Sequence, residues 1–229
     1  MNDEGRKSKR INFKLYLITD RKIFYRPSRK GTLSPRDFTS SIVNAVEKAL
    51  KGGVKAVQLR EKDLSTRQLL KLAYRMRELT EKFDAKLFIN DRLDIALAVS
   101  ADGVHLTQNS MPADAVRRVV KKAFLIGVST HSLKEARQAE EAGADFVTFG
   151  PVYRTSSKLK YGRPLGLNVL KRIVKKIKAP VFAIGGIKSG RIKDVKKAGA
   201  SGVAMISEIF KAAGIQNKAN EIINLLEDR

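Results

Sequence analysis

Cysteine is absent from the 229-residue sequence, which excludes disulfides, thiolate nucleophiles and cysteine-based zinc sites. Histidine occurs only as His105 and His131, so a histidine-rich metal centre is excluded as well. No stretch approaches the roughly 18 consecutive apolar residues of a membrane-spanning helix. The charged segment 1–10 is not followed by the apolar stretch that a secretory signal requires. We therefore expect a cytoplasmic protein with no membrane partner.

Acidic residues are few, and 23 Asp and Glu stand against 46 Lys and Arg, giving a formal charge of +23. A charge of this sign favours anionic partners, among them nucleic acids. The basic residues are spread over segments of helical period, however, and do not alternate with aromatics, which make up 7% of the chain. We expect small anionic ligands and no specific nucleic acid, with a non-enzymatic basic binding module as a distant alternative.

Short β-rich runs alternate with longer segments of helical period along the chain. The runs lie at 14–19, 55–59, 86–89, 103–106, 124–128, 146–149, 180–184 and 202–206. Between the second and third runs, apolar residues recur at three- and four-residue steps over 65–82, which predicts a helix. The alternation is typical of parallel βα units. It predicts a single (β/α)₈ barrel over residues 1–229, with 1–12 as a charged tail and an open doubly wound sheet as the alternative.

Polar residues follow the predicted strands, and in a barrel the carboxyl ends of all strands meet at one rim. Gln58, Arg60 and Lys62 alternate at the end of the second run, so an amide and two cations project to the same side. Guanidinium and ammonium groups suit a diphosphate. Surface ion pairs of these cations with Glu61 and Asp63 are the alternative.

Glycines and hydroxyl residues follow the last three runs. Four of them fit the phosphate site of a barrel, where backbone N–H groups hold an anion: Gly185, Gly186, Ile206 and Ser207. Thr155, Ser157 and Lys158 follow the sixth run and are expected to clamp an anion. A simple turn and a solvated loop are the alternatives for these two segments.

Asn90 and Asp91 end the third run, and two roles for Asp91 stand open. It can cap the helix that follows. It can also hold Mg²⁺, an ion that takes one or two carboxylates together with water and substrate oxygens. His105 lies within the fourth run and is expected to be a packed or hydrogen-bonded structural residue. His131 follows Ser129 at the end of the fifth run and is a candidate acid or base.

A set of motifs runs through the chain in a fixed order. It consists of Tyr-Leu-Ile-Thr-Asp at 16–20, Val-Gln-Leu-Arg-Glu-Lys at 57–62, Ile-Asn-Asp-Arg at 89–92, Gly-Val-His-Leu at 103–106, Gly-Val-Ser-Thr-His at 127–131, Gly-Pro-Val at 150–152 and Ala-Ile-Gly-Gly-Ile at 183–187. This set resembles the thiamine phosphate synthase family over essentially the whole predicted barrel. The resemblance implies a Mg²⁺-dependent transferase that joins hydroxymethylpyrimidine diphosphate to a thiazole phosphate and releases pyrophosphate. It implies that the carbon–oxygen bond breaks first, giving a pyrimidine carbocation that the thiazole nitrogen captures.

The resemblance also implies roles for individual residues. Gln58 and Asn90 are implied to contact the pyrimidine. The residues implied to hold the pyrophosphate are Arg60, Lys62, Asn90, Ser129 and Lys158, of which the two cations of the second run, the serine and Lys158 are the catalytic candidates. The residues implied to hold the thiazole phosphate are Thr155, Ser157, Gly186, Ile206 and Ser207. Asp91 is the implied Mg²⁺ ligand.

One segment departs from the family pattern. After Gly-Val-His-Leu the family usually presents Gln-Glu-Asp or Gln-Asp-Asp, whose last carboxylate is a second metal ligand, whereas Gln-Asn-Ser at 108–110 supplies none. Ser-Met-Pro at 110–112 resembles the sister group of thiazole tautomerases, which share the thiazole phosphate site but need no diphosphate or metal. The cationic rim residues and Asp91 favour the synthase, and the tautomerase is the alternative. A homo-oligomer stays open.

Overall fold

Eight parallel strands form a closed barrel in the computed structural model, which describes residues 11–24, 35–155 and 163–228. The strands are β1 Leu15–Ile18, β2 Ala56–Leu59, β3 Lys86–Asn90, β4 Gly103–Leu106, β5 Leu125–Thr130, β6 Phe146–Phe149, β7 Val181–Ile184 and β8 Gly202–Met205. Each strand pairs with the next one in sequence, and β8 pairs with β1. The predicted (β/α)₈ barrel is therefore confirmed, and the open-sheet alternative is wrong because both edge strands are paired.

Helices surround the barrel. They are α1 Pro35–Lys51, α2 Thr66–Lys82, α3 Leu93–Ala98, α4 Ala113–Val119, α5 Leu133–Glu141, α6 Gly166–Val174, α7 Ile192–Lys197, α8 Ser207–Phe210 and α9 Ile215–Glu227. In α2, Leu72 and Met76 are buried on the predicted apolar face. The helix begins after Ser65, whose hydroxyl accepts a hydrogen bond from the Gln68 backbone while the Gln68 side chain accepts one from the Ser65 backbone. Within the described ranges, none of the helices has both the length and the apolar character that a bilayer span needs.

Side chains of the strands alternate between the two faces of the barrel wall. In β1, Leu15 and Leu17 belong to the layer between sheet and helices, whereas Tyr16 and Ile18 belong to the cluster inside the barrel. Four phenylalanines complete this interior cluster with Tyr16: Phe13, Phe88, Phe146 and Phe182. Their rings pack mostly edge to face, as in the pair of Phe88 and Phe146, whose centroids are 5.5 Å apart. The interior is thus a packed core.

Three of the interior rings lie beside a glycine on a neighbouring strand. The registered pairs are Phe88 with Gly103, Phe146 with Gly127, and Phe182 with Gly202. A methyl group added at Gly202 would lie 2.6 Å from Cε1 of Phe182 and would also overlap the Lys14 carbonyl oxygen. These glycines are required because the rings occupy the space where their side chains would be.

The capping role considered for Asp91 is wrong. Helix α3 begins at Leu93, and its N-cap residue is Arg92, with no side-chain hydrogen bond at the cap. The N–H of Asp91 instead donates to the carbonyl oxygen of His105 at 2.9 Å, and Asp91 has φ 66°. This bond holds Asp91 beside β4, and the helix begins two residues later, at Leu93.

We expect that Gly202→Ala lowers the free energy of unfolding by about 1–3 kcal/mol, since overpacking a full core forces rings and backbone apart. Urea denaturation measures the difference. Gly190→Ala is the matched control, because a methyl group there meets no described atom within 4 Å. Equal stability of the two variants would contradict the packing argument.

Candidate active site

A cavity of about 710 Å³ lies at the carboxyl ends of the strands and is lined by residues that end or follow all eight of them. The sequence-predicted residues that line it are Gln58, Arg60, Lys62, Asn90, Ser129, His131, Thr155, Gly186, Ile206 and Ser207. Asp91 follows Asn90 at this rim without lining the cavity. Ser157 and Lys158 lie outside the described residues. The structure thus gathers the described candidates around one space, and their individual roles stay predictions.

The cavity lining carries more positive than negative side chains. The cations are Arg60, Lys62, Arg154 and Lys188, and the acids are Asp20 and Glu208. Both acids also accept backbone hydrogen bonds, Asp20 from Lys22 at 3.1 Å and Glu208 from Ser189 at 3.3 Å. The surplus of positive charge favours an anionic ligand.

Two of these cations, Arg154 and Lys188, were not predicted from the sequence. Arg154 directly precedes Thr155, and Lys188 lies two positions after the second glycine of the Gly185–Gly186 pair. Their positions in the sequence, next to residues already assigned to the rim, could have identified them. They did not stand out because the chain has 46 cationic residues spread over its whole length.

The ends of β1 and β2 are joined by a network around Arg21. Its guanidinium binds Glu61 at 3.1 Å and Asp63 at 2.7 Å, and its backbone N–H also donates to Glu61. Arg60 is positioned by its own backbone N–H, which donates to Oγ1 of Thr19 at 2.9 Å. In the described part of the chain no ion pair joins Glu61 or Asp63 to the cations of the second run. The surface ion-pair alternative for those cations is therefore wrong, and Arg60 lines the cavity instead.

The two carboxylates of this network respond differently to their surroundings. Burial raises the pKa of Glu61, and hydrogen bonds from Thr19 and Arg21 oppose this rise. Hydrogen bonds from Arg21 lower the pKa of Asp63 from its ordinary value of 3.8 to about 2. The ionised form of Asp63 is thus stabilised by the partner that also holds Glu61.

A chain of polar side chains lies between the aromatic interior and the cavity. Nε2 of His105 is 3.0 Å from Oγ of Ser129, and Nδ1 of His105 is 3.4 Å from the Tyr16 hydroxyl. Oγ1 of Thr148 donates to Oγ of Ser129 at 3.5 Å. Gln58 is 1% exposed, and its Nε2 makes no hydrogen bond of good geometry with a described residue. His105 is therefore the buried, hydrogen-bonded residue that the sequence predicted.

The polar chain carries no charge at ordinary pH. Burial, together with the smaller effect of the nearby positive charge of Arg60, lowers the pKa of His105 from its ordinary 6.5 to about 3. Burial raises the pKa of Tyr16 well above its ordinary value, and the nearby side chain of Gln58 partly opposes this rise. The imidazole is thus neutral and the phenol keeps its proton.

His131 lines the cavity with one ring nitrogen already committed. Its Nδ1 donates to the carbonyl oxygen of Gly150, and its backbone N–H donates to Glu135 at 2.8 Å. Because a carbonyl oxygen only accepts, Nδ1 carries the proton of the neutral ring, and Nε2 is the basic nitrogen. Its placement therefore suits an acid–base group, which stays a prediction.

The glycine pair after β7 packs against the segment that follows β6. Gly185 and Gly186 have φ 95° and 64°, and a methyl group on Gly186 would lie 2.9 Å from Cβ of Tyr153. Arg191 donates to the Gly186 carbonyl oxygen at 2.6 Å and lies over the Tyr153 ring at 4.4 Å. Glycine is thus needed here for close backbone packing, and Gly186 also lines the cavity.

The rim offers few ligands to a metal ion. Asp91 is exposed and makes no side-chain ion pair with a described residue, since Arg92 is held by Asp94 at 2.9 Å. Oγ of Ser110 accepts from the Thr107 backbone at 2.8 Å. No cluster of three or more His, Asp or Glu occurs among the described residues. This donor set fits Mg²⁺ when phosphate oxygens and water complete its coordination, because Mg²⁺ commonly takes one protein carboxylate in this way.

Comparisons with known proteins indicate one family for the chain. A family model described as thiamine monophosphate synthase matches residues 31–209. The thiamine-phosphate synthase of Clostridium novyi is 43% identical, covering 94% of this chain and 99% of that one. Thiamine-phosphate synthase 1 of Aquifex aeolicus is 39% identical, covering 93% and 92%. The structure of thiamine phosphate pyrophosphorylase from Pyrococcus furiosus matches with a TM-score of 0.80 and 37% identity, covering 94% and 96%.

Asp63→Asn is expected to lower stability at neutral pH but not in acid. Because the folded-state pKa lies below the ordinary 3.8, the carboxylate stabilises the fold above about pH 4, and this contribution is lost as the pH falls through about 2. The loss at neutral pH should stay under about 1 kcal/mol, since the side chain is partly exposed. Urea denaturation across this pH range measures it. Asp84→Asn is the control, because Asp84 is fully exposed and its carboxylate is 3.9 Å from Lys55. A difference that persists in acid would contradict the assignment.

Proposed function

The chain belongs to the thiamine monophosphate synthase family, and from this premise we propose how its rim residues join a pyrimidine diphosphate to a thiazole phosphate. It is a transferase of thiamine biosynthesis. Its substrates in this proposal are hydroxymethylpyrimidine diphosphate and the phosphorylated thiazole, and its products are thiamine phosphate and pyrophosphate. The observation that carries the proposal is the cavity at the strand ends, where cations from separate strands meet amide and hydroxyl groups.

The diphosphate side of the cavity is assigned to the ends of β2, β3 and β5. Arg60, Lys62 and Ser129 hold the pyrophosphate group together with Lys158, while Gln58 and Asn90 contact the pyrimidine. The bond between the pyrimidine methylene carbon and the diphosphate oxygen breaks, and its electron pair leaves with pyrophosphate. Cations and N–H donors stabilise the charge that develops on the leaving group.

The thiazole phosphate is assigned to the opposite wall. Gly186, Ile206 and Ser207 line the cavity there, with Thr155 beside them. Backbone N–H groups and hydroxyls at such a position suit a phosphate monoester, and Ser157 is included from the family pattern. The bound phosphate orients the thiazole nitrogen toward the methylene carbon, and the new carbon–nitrogen bond forms there. Positioning of two bound substrates supplies much of such a rate enhancement.

Asp91 is the proposed protein ligand of Mg²⁺. When bound, Mg²⁺ supplies neutralising charge to the diphosphate oxygens. Asp91 lies beyond the end of β3, next to the residue assigned to the pyrimidine and pyrophosphate. The hydroxyl of Ser110 does not replace the missing second carboxylate, because it is uncharged and bonded to Thr107.

Two observations favour the thiazole tautomerase as the second candidate. With Ser110 in the place of a carboxylate, Asp91 is the only metal ligand that the family pattern assigns here, and Nε2 of His131, which carries no proton in the neutral ring, can move a proton. A tautomerase, however, has no diphosphate to bind, and it gives no reason for Arg60 and Lys62 to line the cavity. The coupling activity is therefore preferred.

The proposal also includes the location of the enzyme in the cell and its partners. Because its ligands are small phosphorylated metabolites, we place it in the cytoplasm without a membrane partner or a specific nucleic-acid partner. The charge of +23 then attracts anionic substrates and gives weak, salt-sensitive contact with nucleic acids as a by-product. A homo-oligomer is compatible with this assignment.

The coupling reaction tests the proposal directly. We expect that the purified protein, given both phosphorylated substrates and Mg²⁺, forms thiamine phosphate and pyrophosphate in equal amounts, measured by chromatography and a phosphate-release assay. Arg60→Ala should lower the coupling rate by about tenfold or more, because it removes charge-assisted bonds to the leaving group, while thermal stability is retained.

Arg67→Ala is the control for that substitution, since Arg67 is an exposed arginine in the first turn of α2. It removes the same charge without touching the cavity, and it should leave the rate unchanged. Thiazole isomerisation without any thiamine phosphate would decide for the tautomerase.

Replacing Asp91, the proposed metal ligand, should weaken the binding of Mg²⁺ together with pyrophosphate. For Asp91→Asn we expect that Mg²⁺ binding in the presence of inorganic pyrophosphate weakens by about tenfold, because an amide lacks the charge of the ligand it replaces. Isothermal titration measures this. Asp84→Asn is the matched control, since Asp84 is an exposed carboxylate with φ 48° in the turn before β3. Unchanged binding by Asp91→Asn would remove Asp91 from the metal site.

A further inference from the structure

We propose that Tyr16 and His105 are positioning residues that fix the hydroxyl of Ser129 as a hydrogen-bond donor toward the diphosphate oxygens. The inference rests on the proposed function and concerns the direction of the bonds in the polar chain beneath the cavity. Neither Tyr16 nor His105 touches the reacting atoms in this arrangement. Both act through Ser129, which lines the cavity; His105 also borders the cavity, with its Nε2 3.0 Å from Oγ of Ser129.

The first step is the number of bonds that Oγ of Ser129 accepts. Oγ1 of Thr148 donates to it at 3.5 Å, and Nε2 of His105 lies 3.0 Å away. A serine hydroxyl has one hydrogen to donate and two lone pairs to accept with. If His105 donates as well, both lone pairs are occupied, and the one hydrogen of Ser129 has to point elsewhere. The cavity is the space that Ser129 lines.

The second step is the tautomer of His105. A neutral imidazole carries one ring proton, so exactly one of its nitrogens donates. Nδ1 lies 3.4 Å from the hydroxyl of Tyr16. If that hydroxyl donates to Nδ1, the ring proton is on Nε2 and faces Ser129. If Nδ1 carries the proton, Ser129 becomes the donor to the ring and is lost to the ligand.

The Tyr16 hydroxyl decides between these two directions. Among the described residues its hydrogen-bond partner is Nδ1 of His105, since Nε2 of Gln58 makes no hydrogen bond. A buried phenol hydrogen needs an acceptor, and Nδ1 is an acceptor only when it carries no proton. The bonds then run in one direction, from Tyr16 through His105 to Ser129.

The chemistry of the ligand agrees with this direction. Diphosphate oxygens only accept hydrogen bonds, so a hydroxyl free to donate is the useful form of Ser129. If the Ser129 hydroxyl instead donated to the imidazole in the free protein, it would have to break that bond before it could donate to the ligand. The arrangement thus presents Ser129 to its ligand without reorganisation, as preorganised sites do.

The tautomer can be read directly by nitrogen NMR on protein labelled with ¹⁵N-histidine. The chain has two histidines, and His131 holds its proton on Nδ1 toward Gly150, so it supplies the opposite tautomer in the same spectrum. We expect His105 to be protonated on Nε2. In Tyr16→Phe, which keeps the ring and removes the donor, that preference should be lost. Protonation of His105 on Nδ1 in the unaltered protein overturns the inference.

The binding of inorganic pyrophosphate in the presence of Mg²⁺ tests whether the direction of the bonds matters for the ligand. Ser129→Ala should weaken it by about tenfold, the loss of one hydrogen bond to a charged group. Tyr16→Phe should weaken it by about threefold or more, and the double variant should bind no more weakly than Ser129→Ala alone. Additive losses overturn the inference. Tyr74→Phe, which removes a hydroxyl on α2 that donates to Ala98, is the control and should bind as the unaltered protein does.

The two proposals fail in different ways. If the protein couples both substrates but His105 carries its proton on Nδ1, the proposed direction of the hydrogen bonds is wrong and the proposed function stands. A protein that neither couples the substrates nor binds pyrophosphate overturns both.

Discussion

The pairing of β8 with β1 is the constraint on which the site depends. Each strand is buried on both faces, one against helices and one inside the barrel, so its backbone groups have to find their partners in neighbouring strands. Closure pairs the two strands that would otherwise be edges. It also brings the carboxyl ends of all strands into one ring, so that Gln58 and Ser207, far apart in the chain, line one cavity.

Closure also determines what lies beneath that ring. The aromatic cluster fills the interior because three glycines on adjacent strands leave room for its rings. Tyr16, a member of this cluster, and His105 beside it are polar but uncharged, because burial raises the pKa of Tyr16 and lowers that of His105. The charge of the site is therefore confined to residues at the mouth, such as Arg60. Since Glu61 is turned toward Arg21, that charge is not cancelled from within its own strand end.

The sequence predicts those features that a local pattern controls. Buried parallel strands have apolar runs bounded by turns, and most observed strand ends lie within one residue of the prediction. The cap, one of the two roles considered for Asp91, is wrong because the helix begins at Leu93, while the N–H of Asp91 is bonded to His105 on the next strand. The pairing of Glu61 with Arg21 was missed for the same reason, since the partner belongs to a different βα unit. Nothing in a single sequence reveals such nonlocal partners.

The roles of individual rim residues are harder still to predict from the sequence, because fold and charge do not specify a reaction. Family membership identifies the reaction, and the structure explains one departure from the family pattern. With Ser110 bonded to Thr107, the segment after β4 offers no carboxylate, and Asp91 is the one carboxylate that the family pattern assigns to the metal. In the proposed function, most oxygen ligands of Mg²⁺ then come from the diphosphate itself and from water. Metal and diphosphate affinities are consequently linked, because each supplies part of the other's binding site.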